Sequence, residues 1–457
     1  MNISPPFGGL TLSPLDQCSR NIYFDWLLSF RQDDPLRAIP ILQKGLAMLF
    51  ERLPFLKGRL IIGTPRESIG RVVPFSEPVN IDAFLRVKHH DQPLASVKMS
   101  DLDSILDENK PEGLEAFESL LADVPLLSKT PVMVFQANVM ADGIVLNMRW
   151  NHCFMDAMGA GAVFTALGEC CRASDHGEGQ QPSIMSLFEE DGSLREALLQ
   201  AAYPDFEKET QKYPMAIDDA STEASTVLSG PSEKLHAYTL HFPDSRIQCL
   251  KKLCNEVQSC EALSRNDVFT ALLAITIHRT RAISAAPTEL VMAVNLRARF
   301  RPPQFESYLG NLVTIVQAPV PGQAPNAASR CRENGIGHDD MEQIARVGSQ
   351  IREALESIDD SYLSSWIRLD PADMKRITPD HIIFTSWRDL QVHQVDFGPN
   401  LGHIEAFECL TPLPNSACVL LPQRMVKDPI WEVKITLDLN QLKTLQQDPL
   451  FLWATGV

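Results

Sequence analysis

Four short stretches of the chain hold residues whose types and spacing could do chemistry. The first is NHCFMDAMGAG, residues 151–161, where His152 stands four residues before Asp156. Imidazole titrates near neutrality, so a histidine placed beside a carboxylate is a candidate base. The surroundings add to the spacing. The apolar run GIVLNMRW ends just before His152, and small residues that open a helix follow Asp156. A strand leading into a helix is where α/β folds place functional groups. The plainer alternative is a core histidine next to a helix N-cap aspartate. A metal centre would need further ligands at matching spacing, and none is visible.

The other three stretches come later in the chain. NLRARFR, residues 295–301, alternates Arg297, Arg299 and Arg301. On a strand these would share one face. They read either as a solvated edge, or as one arginine buried on a carboxylate and another meeting a phosphate. ESYLGN, 306–311, ends in Gly310 and Asn311, which read as the opening of a strand. DFGP, Asp396 to Pro399, follows the strand-like HIIFTSW. It has the form of a turn with Gly398 in a left-handed position. The kinase reading of D-F-G fails, because no H-R-D loop and no glycine-rich loop precede it.

Taken in order, H-x-x-x-D-A, N-x-R-x-R, S-Y-x-G-N and T-S-W-R followed by D-F-G resemble the BAHD family of CoA-dependent acyltransferases. The resemblance is strongest to the fungal branch that contains trichothecene 3-O-acetyltransferase. Further matches spread over nearly the whole chain: LTLSPLDQ at 10–17, LPFLKGRL at 53–60, SRNDVFTALL at 264–273, VLLPQR at 419–424 and IWEVKITLDLNQLKTLQQDPLF near the end. Three positions depart from the family pattern. Pro399 and Asn400 stand where Trp-Gly is usual, Gly402-His403-Ile404 where G-K-P is frequent in fungal members, and Ala274 where Trp is usual.

The resemblance implies two chloramphenicol-acetyltransferase-like domains with an active-site channel between them. It implies acyl-CoA as co-substrate and a small-molecule alcohol of secondary metabolism, less often an amine, as acceptor. His152 would be the general base, with Trp387 and Thr385 aiming donors at the developing oxyanion. Asp156 would point away from the substrate and pair with Arg297, with Arg299 as alternate partner. Asp396 and Gly398 would shape the adjoining loop, and Ser264, Asn311 and Ser386 would contact CoA. No metal is implied. Two rival readings remain at this point. A free-standing condensation-type domain usually carries two adjacent histidines, where this chain has Asn151 and His152. A non-catalytic, ligand-binding member would have no need of the intact His152.

Those residues need elements to position them. The 457 residues are 44% hydrophobic and 22% charged, a globular composition that excludes disordered, collagen-like and coiled-coil classes. Strand-like runs at 131–140 and 143–150 flank Ala141-Asp142 and predict a hairpin, and a helix follows over 158–173. Residues 174–232 are rich in Ser, Asp, Glu, Gln, Gly and Pro, and only 194–202 has an ordered pattern. They read as a crossover linker between an N-terminal half, 1–173, and a C-terminal half, 233–457. The second half alternates strands and helices. It includes a helix over 264–281 whose Ser264 and Asp267 are spaced as a capping box. The class is α/β with mixed sheets (mixed α+β). The segment near 400–424 is expected to pack with the first domain.

The formal net charge of −17 argues against a nucleic-acid partner, which needs clustered Lys and Arg, and against an anionic membrane surface. An anionic substrate would have to meet a local basic patch. No run reaches the roughly 20 apolar residues of a membrane span. The first seventeen residues have neither the basic start nor the apolar core of a secretory signal. The ten cysteines are scattered, with Cys170 and Cys171 adjacent and no C-x-x-C. They read as reduced thiols of a cytoplasmic protein, which the resemblance makes a monomer.

Overall fold

The computed structural model describes residues 8–17, 21–63, 69–76, 79–97, 120–121, 130–176, 187–202, 235–257, 263–281, 286–299, 305–322, 332–333, 335–368, 377–410 and 413–456. Two large sheets organise them. The first contains β1 (Tyr23–Arg31), β2 (Leu85–His89), β3 (Met133–Met140), β4 (Gly143–Asn151) and β9 (Ala406–Cys409), in the order β9–β1–β4–β3–β2. The second contains β5 (Leu235–Pro243), β6 (Thr288–Asn295), β7 (Val313–Val320), β8 (Ile382–Ser386), β10 (Ala417–Leu420) and β11 (Ile430–Asp438), in the order β7–β6–β8–β10–β11–β5. Both sheets mix parallel and antiparallel pairs, and helices cover them. The architecture is the mixed α/β class that the alternation of elements implied.

The 131–150 hairpin forms as expected, with Met140 opposite Gly143. Every residue of β3 is buried, so this strand is covered on both faces, and its two polar residues, Gln136 and Asn138, are buried with the rest. Helices α1 (Pro35–Arg52) and α2 (Ala157–His176) pack on this sheet and on each other. Their backbones approach closely where Gly45 faces Cys171: a Cβ on Gly45 would sit 2.4 Å from the Cys171 sulfur.

Part of the stretch read as a linker is the helix α3 (Leu187–Ala202), and residues 177–186 and 203–234 lie outside the described residues. The second sheet is covered by α4 (Asp244–Val257), α5 (Arg265–Arg279) and α6 (His338–Glu356). Residues 267–278 of α5 are buried without a break, because this helix lies between sheet and helices and has no solvent face. The two sheets also share chain. After β8 the polypeptide crosses to the first sheet, where β9 pairs antiparallel with β1. It then returns as β10 between β8 and β11.

Two local expectations are corrected. Arg297 and Arg299 lie on a single 3-10 turn, Arg297–Arg299, and not on a strand. The cause is Asn295, whose side-chain oxygen accepts the Arg297 backbone N–H at 3.1 Å and bends the chain out of the ladder. Arg301 lies outside the described residues. Gly310 and Asn311 precede β7 and do not open it, since the strand begins at Val313.

Candidate active site

His152 follows the last residue of β4. Its backbone N–H donates to Ile22 O at 2.8 Å, and the Cys153 N–H donates to the Asn151 side chain at 2.9 Å. The chain then turns at Asp156, whose Oδ1 accepts the Gly159 N–H at 2.9 Å and so caps the first turn of α2. The His152 ring is half-buried, and its Nδ1 lies 3.3 Å from Met155 O. A carbonyl oxygen only accepts, so the proton belongs on Nδ1 and the lone pair on Nε2. Burial holds the imidazole below its ordinary pKa, against a smaller opposing pull from Asp156. The ring is therefore neutral at pH 7, the form a base requires.

Asp156 turns to the second half of the molecule. Its Oδ2 accepts Arg297 Nη1 at 2.9 Å and the Leu312 N–H at 3.0 Å, and Oδ1 accepts Arg297 Nη2 at 3.0 Å. Arg297 is 6% exposed. Its remaining donors end on Tyr308 O, Gly310 O and the Asn295 side chain. Between the two expected partners the pairing is thus with Arg297. Arg299 donates to Leu355 O at 2.8 Å instead.

Thr385 and Trp387 lie two residues apart at the end of β8 and project to one face. Pairing continues past the strand, since the Trp387 N–H donates to Leu420 O. Trp387 is 6% exposed and Thr385 half-buried. The Trp387 ring meets Phe24 at 6.0 Å and Trp26 at 5.8 Å between centroids. Phe24 meets the His152 ring edge-on at 5.0 Å. One phenyl group therefore joins histidine and indole. Sequence reading missed Phe24; the available signal was the alternation of YFDWLLSFR, which points Phe24, Trp26, Leu28 and Phe30 to one side.

Asp396 and Gly398 form the expected turn. Gly398 has φ +99°, and its N–H donates to Asp396 Oδ1 at 2.9 Å. The turn sits against the end of α2: a Cβ on Gly398 would lie 3.0 Å from Asp175 Oδ2. Phe397 is fully buried against Phe30 and Phe164. The departure at Asn400 has a structural partner, because its backbone N–H and side-chain amide both donate to Asp175, at 3.0 and 2.6 Å.

The three residues assigned to CoA separate. Ser264 is half-buried at the start of α5 in a complete capping box with Asp267. Ser386 is exposed at the end of β8. Asn311 is corrected: it is 3% exposed, and both hydrogens of its amide are used inside the protein. They go to Asp16 Oδ1 at 3.0 Å and His152 O at 2.8 Å. It has no donor left for a ligand.

Residues 94–452 match the Transferase family. The chain belongs to this family, the BAHD-type acyltransferases, and is a CoA-dependent acyltransferase with acyl-CoA as co-substrate. It is similar to the communesin N16 acyltransferase cnsK of Penicillium expansum, with 28% identity over 488 aligned positions covering 99% of each chain. It is also similar to the fumigaclavine B O-acetyltransferase easN of Aspergillus fumigatus, with 29% identity covering 98% of this chain and 97% of that protein. The fold is shared with F. sporotrichioides TRI101, solved with coenzyme A and T-2, at a TM-score of 0.68, 18% identity and 97% coverage of each chain. Vinorine synthase superposes with a TM-score of 0.64 at 16% identity, over 97% of this chain and 93% of that one.

Proposed function

We propose that the protein moves a short acyl group, acetyl foremost, from CoA thioester to a hydroxyl of a secondary metabolite, with His152 as general base. The observation that carries this is the His152–Met155 contact, which leaves Nε2 as the free lone pair of a neutral ring. An alcohol is a poor nucleophile at pH 7. Proton removal by a positioned imidazole contributes roughly 10²–10⁴ in rate. As the hydroxyl oxygen bonds to the thioester carbon, Nε2 takes its proton and the carbonyl becomes an oxyanion. The Trp387 indole N–H and the Thr385 hydroxyl are the donors we assign to that oxyanion. Collapse expels the CoA thiolate, which takes the proton back from the imidazolium.

Ser264 and Ser386 are the CoA contacts we retain. The Ser264 oxygen accepts the Asp267 N–H at 3.1 Å, which leaves its own hydrogen for a phosphate. Arg265 and Arg388 stand next to these serines in the chain, where Arg265 pairs with Asp244 at 2.9 Å and Arg388 lies over the Trp431 ring. A nitrogen acceptor is the second reading, favoured by the likeness to a communesin N16 acyltransferase. We place the reaction in the cytoplasm, on a monomer. The seven cysteines among the described residues are all free thiols, the state a reducing compartment maintains.

The test is incubation of the full chain with acetyl-CoA and a panel of hydroxylated and amine-bearing fungal metabolites, followed by free-thiol release and product mass. A hydroxylated product heavier by one acetyl group supports the reading. Acylation confined to amines favours the second one, and no acylated product from any acceptor contradicts both.

A further inference from the structure

The His152 loop rests on a buried ionic network that starts far away in the chain. Asp16 has no exposed surface. Its Oδ2 accepts the Ser13 N–H and hydroxyl, each at 2.9 Å, and Arg195 Nη1 at 2.6 Å. Its Oδ1 accepts the Asn311 backbone N–H at 2.8 Å and the Asn311 side-chain amide at 3.0 Å. Arg195 comes from α3, in the stretch whose composition reads as a linker, and is only 2% exposed. Its Nε donates to Asp191 Oδ2 at 2.7 Å, and its guanidinium lies over the rings of Phe154 at 4.5 Å and Tyr308 at 5.1 Å. Asp191 in turn accepts the Leu309 N–H at 2.8 Å. Direct contacts therefore run from Arg195 through Asp16 and Asn311 to the His152 carbonyl.

Stability alone is a poor reason for such a network. Burying charges carries a desolvation cost that their attraction often only balances, and apolar replacements of like volume are often as stable. The orientation of Asn311 points to another reason. Its Nδ2 faces two oxygens, Asp16 Oδ1 and His152 O, while its Oδ1 has no hydrogen-bond partner among the described residues. Turning the amide over would set oxygen against oxygen twice. The side chain is held in a single orientation, and that orientation grips the residue carrying the imidazole. His152 is then fixed on both sides of its peptide, by Ile22 O at its N–H and by Asn311 at its carbonyl.

We propose that Asn311 and Asp16 are positioning residues of the His152 base, and that Arg195 locks Asp16 in place. The working geometry of the histidine then depends on two elements outside its own sheet, the helix at 187–202 and the 306–311 turn. This rests on the reading of His152 as the base. The groups facing His152 are the Asp156 carboxylate, the Met155 carbonyl, the Asn311 amide and the Phe24 ring. Releasing the His152 carbonyl lets the ring leave Met155 O and reach water, so its titration should move toward that of a free imidazole.

The experiment uses the full chain labelled with ¹⁵N-histidine, with His152→Gln to assign the resonance among the 11 histidines. The His152 titration, the thermal midpoint and acetyl-CoA-dependent thiol release are compared in wild type, Asn311→Ala and Asp16→Asn. In Asn311→Ala the His152 midpoint should rise, because lost burial, the largest influence on the ring, outweighs the smaller upward pulls of Met155 and Asn311 that are lost with it. Its kcat should fall at least about tenfold, with KM for acetyl-CoA held within about twofold. Asp16→Asn keeps its size and one acceptor, so it should shift both readouts less in the same direction, and it carries the test if the alanine variant does not fold. A folded variant whose His152 titration and kcat match wild type, with only the thermal midpoint lowered, would overturn the proposal. If the titration moves as expected while wild type acylates no acceptor, the positioning role stands and the acyl-transfer reading fails.

Discussion

Arg297 closes on Asp156 with two parallel hydrogen bonds, 2.9 and 3.0 Å, across 141 residues of sequence. The pair joins the start of α2 to the 3-10 turn that follows β6. It also leaves the Asp156 carboxylate fully occupied, by two guanidinium nitrogens and the N–H groups of Gly159 and Leu312. Asp156 is therefore a structural anchor beside the histidine and has no free oxygen to orient the imidazole.

Asp156→Ala should strip Arg297 of its counter-charge in a buried place, a change that typically costs about 3–5 kcal/mol. Asp156→Asn keeps one oxygen and should lose less. Thermal and denaturant unfolding of the two variants measures this. A melting temperature equal to wild type in the alanine variant would show that the pair does not hold the halves together.

The pH–rate profile follows from the burial of His152, which lowers its pKa below the ordinary 6.5. The base works as the neutral ring, so kcat/KM should rise as the imidazole loses its proton and level off above it. The acidic limb should lie below pH 6.5, with a flat rate across about pH 7 to 8. A limb centred above 6.5 would mean that the working imidazole is not in the environment described.

Trp387→Phe keeps most of the ring packed on Phe24 and Trp26 and deletes the N–H donor. If that donor meets the oxyanion, kcat should fall by roughly 10²–10³ with KM little changed. A kcat that holds, with any loss tracking thermal stability, would make Trp387 a packing residue only. A rise confined to KM would make Trp387 a binding contact for one of the substrates.

Glu408 gives a stability prediction of opposite sign to the usual carboxylate. Burial raises its pKa to about 7, with Lys434 as the main opposing influence. Its Oε2 has no hydrogen-bond partner among the described residues. The folded state binds this proton more tightly than the unfolded state does. The stability linked to it is present at low pH and lost as pH rises through about 7. Glu408→Gln should therefore melt above wild type near pH 8.5, with the gap closing toward pH 4.5, where the unfolded carboxyl also takes up its proton. Equal melting temperatures at the higher pH would show that the carboxylate is not held in its neutral form.

Much of the frame could be read from local pattern. The β3–β4 hairpin, the capping box of α5 and the left-handed Gly398 all depend on residues a few positions apart, and the sequence shows such neighbours directly. What stayed hidden depends on partners distant in sequence. Arg195 lies in the one ordered run, 194–202, of an otherwise polar stretch, but its burial requires Asp16, 179 residues away, and the Tyr308 ring, which no local pattern shows. Asn311 shows the same limit. Its position in S-Y-x-G-N suggested a ligand contact, whereas Asp16 and His152 consume its donors. The turn at Arg297 was misread as strand because alternation of charge mimics a strand face, while the Asn295 side chain decides the backbone locally. Asn400 was visible only as a departure. Its two bonds to Asp175 fasten the D-F-G turn to α2 in this chain.

The most direct test of the whole account is the rate of acetyl transfer by His152→Ala, measured against wild type with a metabolite acceptor identified by product mass. The ring is half-buried and tied to the protein chiefly by the Met155 contact, so the variant should fold and keep a thermal midpoint near wild type. Loss of the base should lower kcat at least about 10²-fold. A folded His152→Ala that transfers acetyl at a near-native rate would contradict the account.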